Sequence, residues 1–254
     1  MKPNVLKQKI DNNISVFGTF VKCTDPSVVE VLALAGLDFF VLDNEHVAMD
    51  REQMTNMIRA AEAFGITPLI RVRENRQVEI LQNLDLGYAG VQVPNVDTAD
   101  QARQLVASVK YAPLGVRGFS PSVRACRYGT MNIPDYIEAA NENTLVVAHC
   151  ETKTCVDNLD EILAVPGIDV IFIGPMDLSQ SLGVTGDTAS PIVKETVSQV
   201  MDKVKASDKA VGTVAANGAA ARALAAQGVQ YILIGSDLGM ILNWAKSAMA
   251  EIRG

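Results

Sequence analysis

Only two histidines occur in this 254-residue chain, and each closes a run of apolar, β-type residues beside a carboxylate. His46 ends Phe39-Phe40-Val41-Leu42-Asp43-Asn44-Glu45-His46, and His149 lies in Leu145-Val146-Val147-Ala148-His149-Cys150-Glu151. A third run, Val170-Ile171-Phe172-Ile173-Gly174-Pro175-Met176-Asp177, also ends in an acid, and a fourth, Pro68-Leu69-Ile70-Arg71, ends in an arginine. An imidazole bonded to a carboxylate, as His46 could be to Asp43 or Glu45, gains basicity and a fixed tautomer, which suits a general acid or base. Glu151 and Asp177, if they end adjacent strands, can reach one hard divalent cation. Mg²⁺ takes one or two protein carboxylates and leaves its other positions to water and substrate. Acids so placed also cap helices or solvate loops, so spacing alone leaves both roles open. Arg71 ends a run too apolar for a surface strand, and a buried arginine needs an anion from the protein or from a substrate. Period-two alternation puts His149 on the same strand face as Glu151 and turns Cys150 away, either as a site residue or as a satisfied core histidine. Gly174 permits close backbone approach, and N–H groups beyond it can hold an anion.

Elements must bring these ends together. Short β-branched runs alternate with helical patterns throughout. Strands are predicted near 15–22, 39–44, 67–72, 90–95, 144–151, 170–174, 210–216 and 231–235. Most are continuous apolar runs, as parallel strands covered on both faces require. Helices are predicted near 26–35, 50–64, 75–86, 98–109, 133–141, 154–164, 191–207, 217–227 and 238–252. Asp50 reads as an N-cap, and Gly65 and Gly87 as C-caps. Eight β-α units in about 250 residues is the count and length of an α/β (β/α)₈ TIM barrel. A doubly wound sheet fits less well, because no GxGxxG follows the first strand. No linker or composition break divides residues 1–254, so a single barrel domain is expected. Two long connections, about 111–132 with three arginines and about 175–190, mark functional or interface loops.

Bulk composition narrows the partners. The chain is 48% hydrophobic and 20% charged, with a formal net charge of −7. An acidic surface repels phosphate backbones, which argues against nucleic acid. The opening MKPNVLKQKIDNN carries no long apolar h-region, and no stretch reaches the roughly 18 apolar residues of a membrane span. The four cysteines form no CxxC pair. Reduced thiols and a cytoplasmic location are the expectation.

Taken together, the motifs resemble the HpcH/HpaI family of metal-dependent pyruvate aldolases, whose typical members cleave 4-hydroxy-2-oxoheptanedioate or 2-dehydro-3-deoxyglucarate. The likeness covers nearly the whole chain. It rests on LDNEH (42–46), the arginine of IRV (70–72), the aspartate of LDLG (84–87), GVQVPNVDTADQA (90–102), GVRGFS (115–120), the glutamate of AHCET (148–152) and IGPMDLS (173–179). The resemblance implies a TIM barrel that binds Mg²⁺, Mn²⁺ or Co²⁺ through Glu151 and Asp177. It makes His46 the acid/base histidine and Arg71 the group that steadies a developing enolate. It implies that Asp85 tunes the histidine, that the backbone around Met176 and Asp177 holds a pyruvate carboxylate, and that Phe20 lines the pocket wall. It also implies a homohexamer, a trimer of dimers, with the last helix exchanged between subunits. One departure stands out. Many members place a glutamine, in contact with the keto acid, two residues before the metal glutamate. This chain has His149 there, which can face the substrate or ligate the metal.

The function expected is a class II aldehyde-lyase that reversibly cleaves a 4-hydroxy-2-oxo acid to pyruvate, or a similar 2-oxo acid, and an aldehyde. No lysine stands at a strand end suited to Schiff-base chemistry. Competing readings are oxaloacetate decarboxylation or CoA-thioester cleavage of the citrate lyase type on the same site, and a non-catalytic oxo-acid-binding barrel. The last helix carries Leu238, Met240, Ile241, Leu242, Trp244, Ala245, Ala248, Met249 and Ile252 on more than one face, which independently calls for a packing partner.

Overall fold

Eight parallel strands close in sequential order into a barrel in the computed structural model, which describes residues 3–254. They are β1 Val16–Val21, β2 Phe39–Asp43, β3 Thr67–Arg71, β4 Gly90–Val93, β5 Leu145–Cys150, β6 Val170–Ile173, β7 Ala210–Ala215 and β8 Tyr231–Ser236. In chain order the helices are α1 Val5–Asp11, α2 Ser27–Leu34, α3 Arg51–Phe64, α4 Gln77–Leu86, α5 Ala99–Val109, α6 Ile133–Asn143, α7 Lys153–Asp157, α8 Leu159–Leu163, α9 Pro175–Ser181, α10 Pro191–Lys205, α11 Gly218–Ala226 and α12 Asp237–Arg253. β1 pairs with β8 through Val16↔Tyr231 and with β2 through Gly18↔Phe39, which closes the ring. The fold is therefore the expected (β/α)₈ barrel.

Local chemistry explains the boundaries. Asp50 and Gln53 form a reciprocal capping box at the start of α3, and Gly65 ends that helix in the left-handed conformation, at φ 79°. The helix predicted near 154–164 is two short pieces, α7 and α8. Asn158 interrupts it and donates from its side chain to the Asp97 carbonyl. Helices α1 and α9, seven residues each, are too short for periodicity to reveal. The long 111–132 loop is packed by Tyr111, Cys126, Tyr136 and Ala140, and it carries a 3₁₀ turn at Arg124–Gly129.

The core has two layers. Val16, Phe39, Val41, Leu69, Leu145, Val147, Val170, Phe172, Tyr231 and Leu233 fill the barrel interior, and Leu6 and Ile10 of α1 close its N-terminal end. Gly18 makes room for Phe39, since a Cβ there would stand 2.7 Å from the Phe39 ring. A larger apolar layer lies between strands and helices. Of α12, only Asp237 is buried. No described helix is long and apolar enough to cross a membrane. Barrel sites form where strands end at their C-termini. Here that rim brings together Lys22, Asp43, Glu45, Arg71, Asn95, Glu151 and Gly174.

Candidate active site

A buried ion pair braces one side of the rim. Asp43 and Arg71 end β2 and β3 as direct register partners. The guanidinium grips the Asp43 carboxylate with both arms, Nε to Oδ1 at 3.1 Å and Nη2 to Oδ2 at 2.7 Å. Asp43 also accepts the His46 backbone N–H at 3.2 Å. Burial works to raise the Asp43 carboxyl, but Arg71, the His46 N–H and Lys22 outweigh it and hold its pKa below the ordinary value. Arg71 Nη1 lies 3.2 Å from Glu45 Oε2, and its Cζ sits 4.5 Å above the Phe20 ring. Phe20 in turn packs edge-on to Phe172, with centroids 6.2 Å apart. The anion Arg71 needs is thus supplied by the protein.

This placement corrects one expectation. Asp43 does not touch the His46 imidazole. The acid beside that ring is Glu45, with Oε2 3.8 Å from Nε2, an ion-pair distance rather than a hydrogen bond. The imidazole is half exposed at the mouth. Desolvation raises the Glu45 carboxyl above its ordinary value. Arg71 opposes this shift and Glu151 adds to it, so these groups share one electrostatic site.

Glu151 forms the other side. It is 3% exposed, with Oε2 2.7 Å from His149 Nδ1 and Oε1 accepting the Asn95 N–H at 3.0 Å. Burial pushes its pKa up, but His149, the Asn95 N–H and Arg71 pull it further down, so the carboxylate is held ionised. As alternation predicts, His149 shares the Glu151 face, while Cys150 lies in the outer core with Cys155. His149 Nε2 meets Gln92 Nε2 at 2.6 Å, so both ring nitrogens are engaged by the protein. Neither is free for a substrate or an ion, contrary to the expected substrate contact.

The Gly174 turn joins Asp177 to this group. Cys150 and Ile173 are register partners, so Glu151 and Gly174 leave adjacent strands side by side. A Cβ on Gly174 would stand 2.7 Å from Glu151 Oε2, so the carboxylate occupies the space that a side chain would take. Met176 and Asp177 follow in the first turn of α9, both exposed, where backbone N–H groups lack intrahelical partners. Among the described residues, no three His, Cys, Asp or Glu side chains cluster to cage a metal by themselves. Carboxylate oxygens are donors of the kind that Mg²⁺ or Mn²⁺ takes, and Glu151 is the buried one at this rim.

Asp85 is placed elsewhere. It lies near the end of α4, which leads into the N-terminal end of β4, so it sits at the opposite end of the barrel from His46. There it pairs with Arg117 Nη2 at 2.8 Å, and Arg117 stacks on Tyr111. Arg124 pairs with Glu62 nearby. Together with Arg127, these arginines line a cavity of about 670 Å³ at this end. Within one chain, Asp85 therefore does not meet His46.

Several contributors were not apparent from strand ends. Lys22 follows β1, and its Nζ is paired with Asp43 Oδ2 at 3.3 Å. Gln92 and Tyr231 lie inside strands. Their only signal was polarity within the apolar runs GVQV and YILI.

A closed parallel barrel with a buried carboxylate and a clamped arginine at its C-terminal rim defines the class: a (β/α)₈ barrel with a charged site at the end where barrel enzymes carry theirs. The family model for HpcH/HpaI aldolase/citrate lyase matches residues 16–243. A 2-dehydro-3,6-dideoxy-6-sulfogluconate aldolase from Pseudomonas putida is 35% identical over 93% of this chain and 92% of its own length. A 5-keto-4-deoxy-D-glucarate aldolase from Salmonella paratyphi C (strain RKS4594) is 36% identical with the same coverage. Among solved structures, an HpcH/HpaI aldolase/citrate lyase family protein from Burkholderia cenocepacia J2315 superposes with a TM-score of 0.93 at 31% identity, covering 99% of this chain and 100% of that one. The citrate synthase SbnG superposes at 0.89 with 34% identity, covering 98% and 97%. The chain belongs to the HpcH/HpaI aldolase/citrate lyase family.

Proposed function

We propose that this protein reversibly cleaves a 4-hydroxy-2-oxo acid to pyruvate, or a similar 2-oxo acid, and an aldehyde, with Mg²⁺, Mn²⁺ or Co²⁺ held by Glu151 and Asp177. The coarse class, a carbon–carbon lyase, rests on the family and on relatives named as aldolases. The observation that carries the finer reading is the buried Glu151 carboxylate packed against Gly174, in the turn that bears Asp177.

A divalent ion held there by Glu151 and Asp177 would supply Lewis acidity for the 2-oxo acid. The chain supplies the rest. In cleavage the 4-hydroxyl loses its proton and the C4 oxygen becomes the aldehyde carbonyl. The C3–C4 electron pair passes toward the C2 oxygen, leaving the enolate. His46, at the mouth, takes that proton directly or through a water and returns one to C3. Arg71, oriented by Asp43, provides positive charge for the enolate oxygen. N–H groups around Met176 and Asp177 receive the substrate carboxylate, and Phe20 walls the pocket. Calorimetry tests the reading. Wild-type protein should bind pyruvate only with Mn²⁺ or Mg²⁺ present, and Glu151→Gln should lose that binding; unchanged binding would overturn it.

A second reading is condensation of the citrate-forming type, favoured by the likeness to citrate synthase SbnG and by the additional cation Lys22 at the rim. Turnover of oxaloacetate with acetyl-CoA, without cleavage of any hydroxy-oxo acid, would favour it.

For the assembly we infer a cytoplasmic homohexamer, a trimer of dimers, with α12 exchanged between subunits. The exposed apolar length of α12 supports this, and so does Asp85, which can act on His46 only between copies.

A further inference from the structure

We infer that His149 is a positioning residue that holds the Glu151 carboxylate through one fixed Nδ1–H donor, itself set by a hydrogen-bonded relay crossing the barrel from Tyr231 through Gln92. This rests on the reading of Glu151 as a metal ligand. A barrel interior is ordinarily filled by branched apolar side chains. Here Gln92 and Tyr231 are 0% exposed and His149 is 1% exposed. Polar groups so deep are costly unless every member finds its partner.

Each member does, and the direction of the bonds follows. The Tyr231 hydroxyl donates to Gln92 Oε1 at 2.9 Å. Burial raises that phenol well above its ordinary pKa, so it remains a donor. With its oxygen engaged, the Gln92 amide turns its nitrogen to His149 Nε2 at 2.6 Å, and that ring nitrogen must accept. A neutral imidazole has one N–H. It therefore lies on Nδ1, facing Glu151 Oε2 at 2.7 Å. Reversing the amide would turn its N–H toward the Tyr231 hydroxyl and take away the acceptor to which that hydroxyl donates. Packing fixes the planes as well as the bonds. Phe172 stacks on the imidazole, with centroids 4.8 Å apart, and Phe39 lies 4.6 Å from the Tyr231 ring. With the Asn95 N–H on Oε1 and Gly174 against Oε2, Glu151 is held on three sides. One lone pair on each oxygen is left for a ligand. Outer partners of metal ligands typically contribute 10- to 100-fold in metal affinity. His149 thus does its work behind the ligand, without touching the substrate.

Two measurements on the full-length protein test this. Only two histidines occur, so ¹⁵N-histidine labelling gives two rings, and His46→Ala identifies them. The His149 ring should be the neutral Nδ1–H tautomer in wild type and a tautomer mixture in Tyr231→Phe. A doubly protonated or Nε2–H ring in wild type would overturn the relay. Mn²⁺ titration by calorimetry should show His149→Leu weakened roughly 10-fold or more. His149→Asn, whose Nδ2 stands near the place of imidazole Nδ1, should retain most of the affinity. A space-filling role would not separate Asn from Leu in that way. If His149→Leu does not fold, Tyr231→Phe and Gln92→Leu still decide, because each breaks the relay without touching Glu151 and should lower Mn²⁺ affinity. Wild-type affinity in all the variants that fold would overturn the positioning role alone. A wild-type protein that binds no Mn²⁺ would overturn the metal reading and this inference with it.

Discussion

Asp43 shows how one residue can brace a site without reacting. It is fully buried, and its negative charge is shared by Arg71 and Lys22. Removing it leaves a buried guanidinium with only Glu45 nearby. Asp43→Ala should lower unfolding stability by about 3 kcal/mol, the low end for breaking a buried pair, measured by urea denaturation. Arg71→Ala removes the enolate's fixed charge and should lower kcat by roughly 10²-fold. Wild-type deuterium exchange into the pyruvate methyl in that variant would remove Arg71 from the chemistry. The Asp43 pKa also sets a pH window. A carboxyl depressed in the folded state adds stability above its unfolded pKa, and that stability is lost as pH falls through the folded value. Acidification below about pH 4 should therefore destabilise the protein, and Asp43→Asn should flatten that limb of the stability curve.

Among the elements, the β6–α9 turn decides whether the two acids can share an ion. Gly174 is needed there for the space it leaves. An added Cβ would stand 2.7 Å from Glu151 Oε2 and 3.1 Å from its Cβ. Gly174→Ala must displace either the carboxylate or the turn carrying Asp177. Its Mn²⁺ affinity should fall roughly 10-fold or more, as when a ligand's support is lost. The melting temperature should change little, because the displaced groups lie at the rim rather than in the core. Unaltered Mn²⁺ binding in calorimetry would show that the turn does not set the ligand geometry. On the same rim, Asp237 anchors α12 by accepting the Lys22 and Cys23 backbone N–H groups. The helix is thereby tied to the strand end that carries a rim lysine.

At the scale of the whole molecule, α12 is the least satisfied part. Trp244 is 76% exposed and Ile252 75%, and Leu238, Ile241, Leu242 and Met249 are also open. Covering a large apolar side chain is worth about 1.5–3 kcal/mol, so a second copy gains much by packing here. The opposed ends occupied by Asp85 and His46 give an exchange test. His46→Ala and Asp85→Ala proteins should each have low activity when alone. Unfolding and reassembling them together should restore part of it, because some sites would pair an intact histidine with an intact aspartate from another copy. No recovery from a verified mixed assembly would exclude the shared site. Trp244→Asp should shift the protein to smaller species in light scattering.

Much of this was legible in the chain itself. Short apolar runs marked all eight strands, most of them nearly continuous, because parallel strands covered on both faces are apolar along their length. Polar residues ending those runs located His46, Arg71, Glu151 and the Gly174–Asp177 turn, since a strand cannot keep burying such groups without partners. Short-range chemistry, capping and alternation, determined these features. The tertiary structure decided which groups meet. Asp43 lies three residues from His46 yet bonds Arg71, 28 residues away, because the β2–β3 register sets the two side by side. Gln92 finds Tyr231 across 139 positions only when the barrel closes. His149, open in sequence between a site residue and a satisfied core histidine, spends one ring nitrogen on Gln92 and the other on Glu151. Closure likewise sends Asp85 to the far end and leaves much of the apolar surface of α12 uncovered by its own chain. Local sequence sets periodicity and element ends. Pairing across the ring depends on register and closure, which no short window of residues contains.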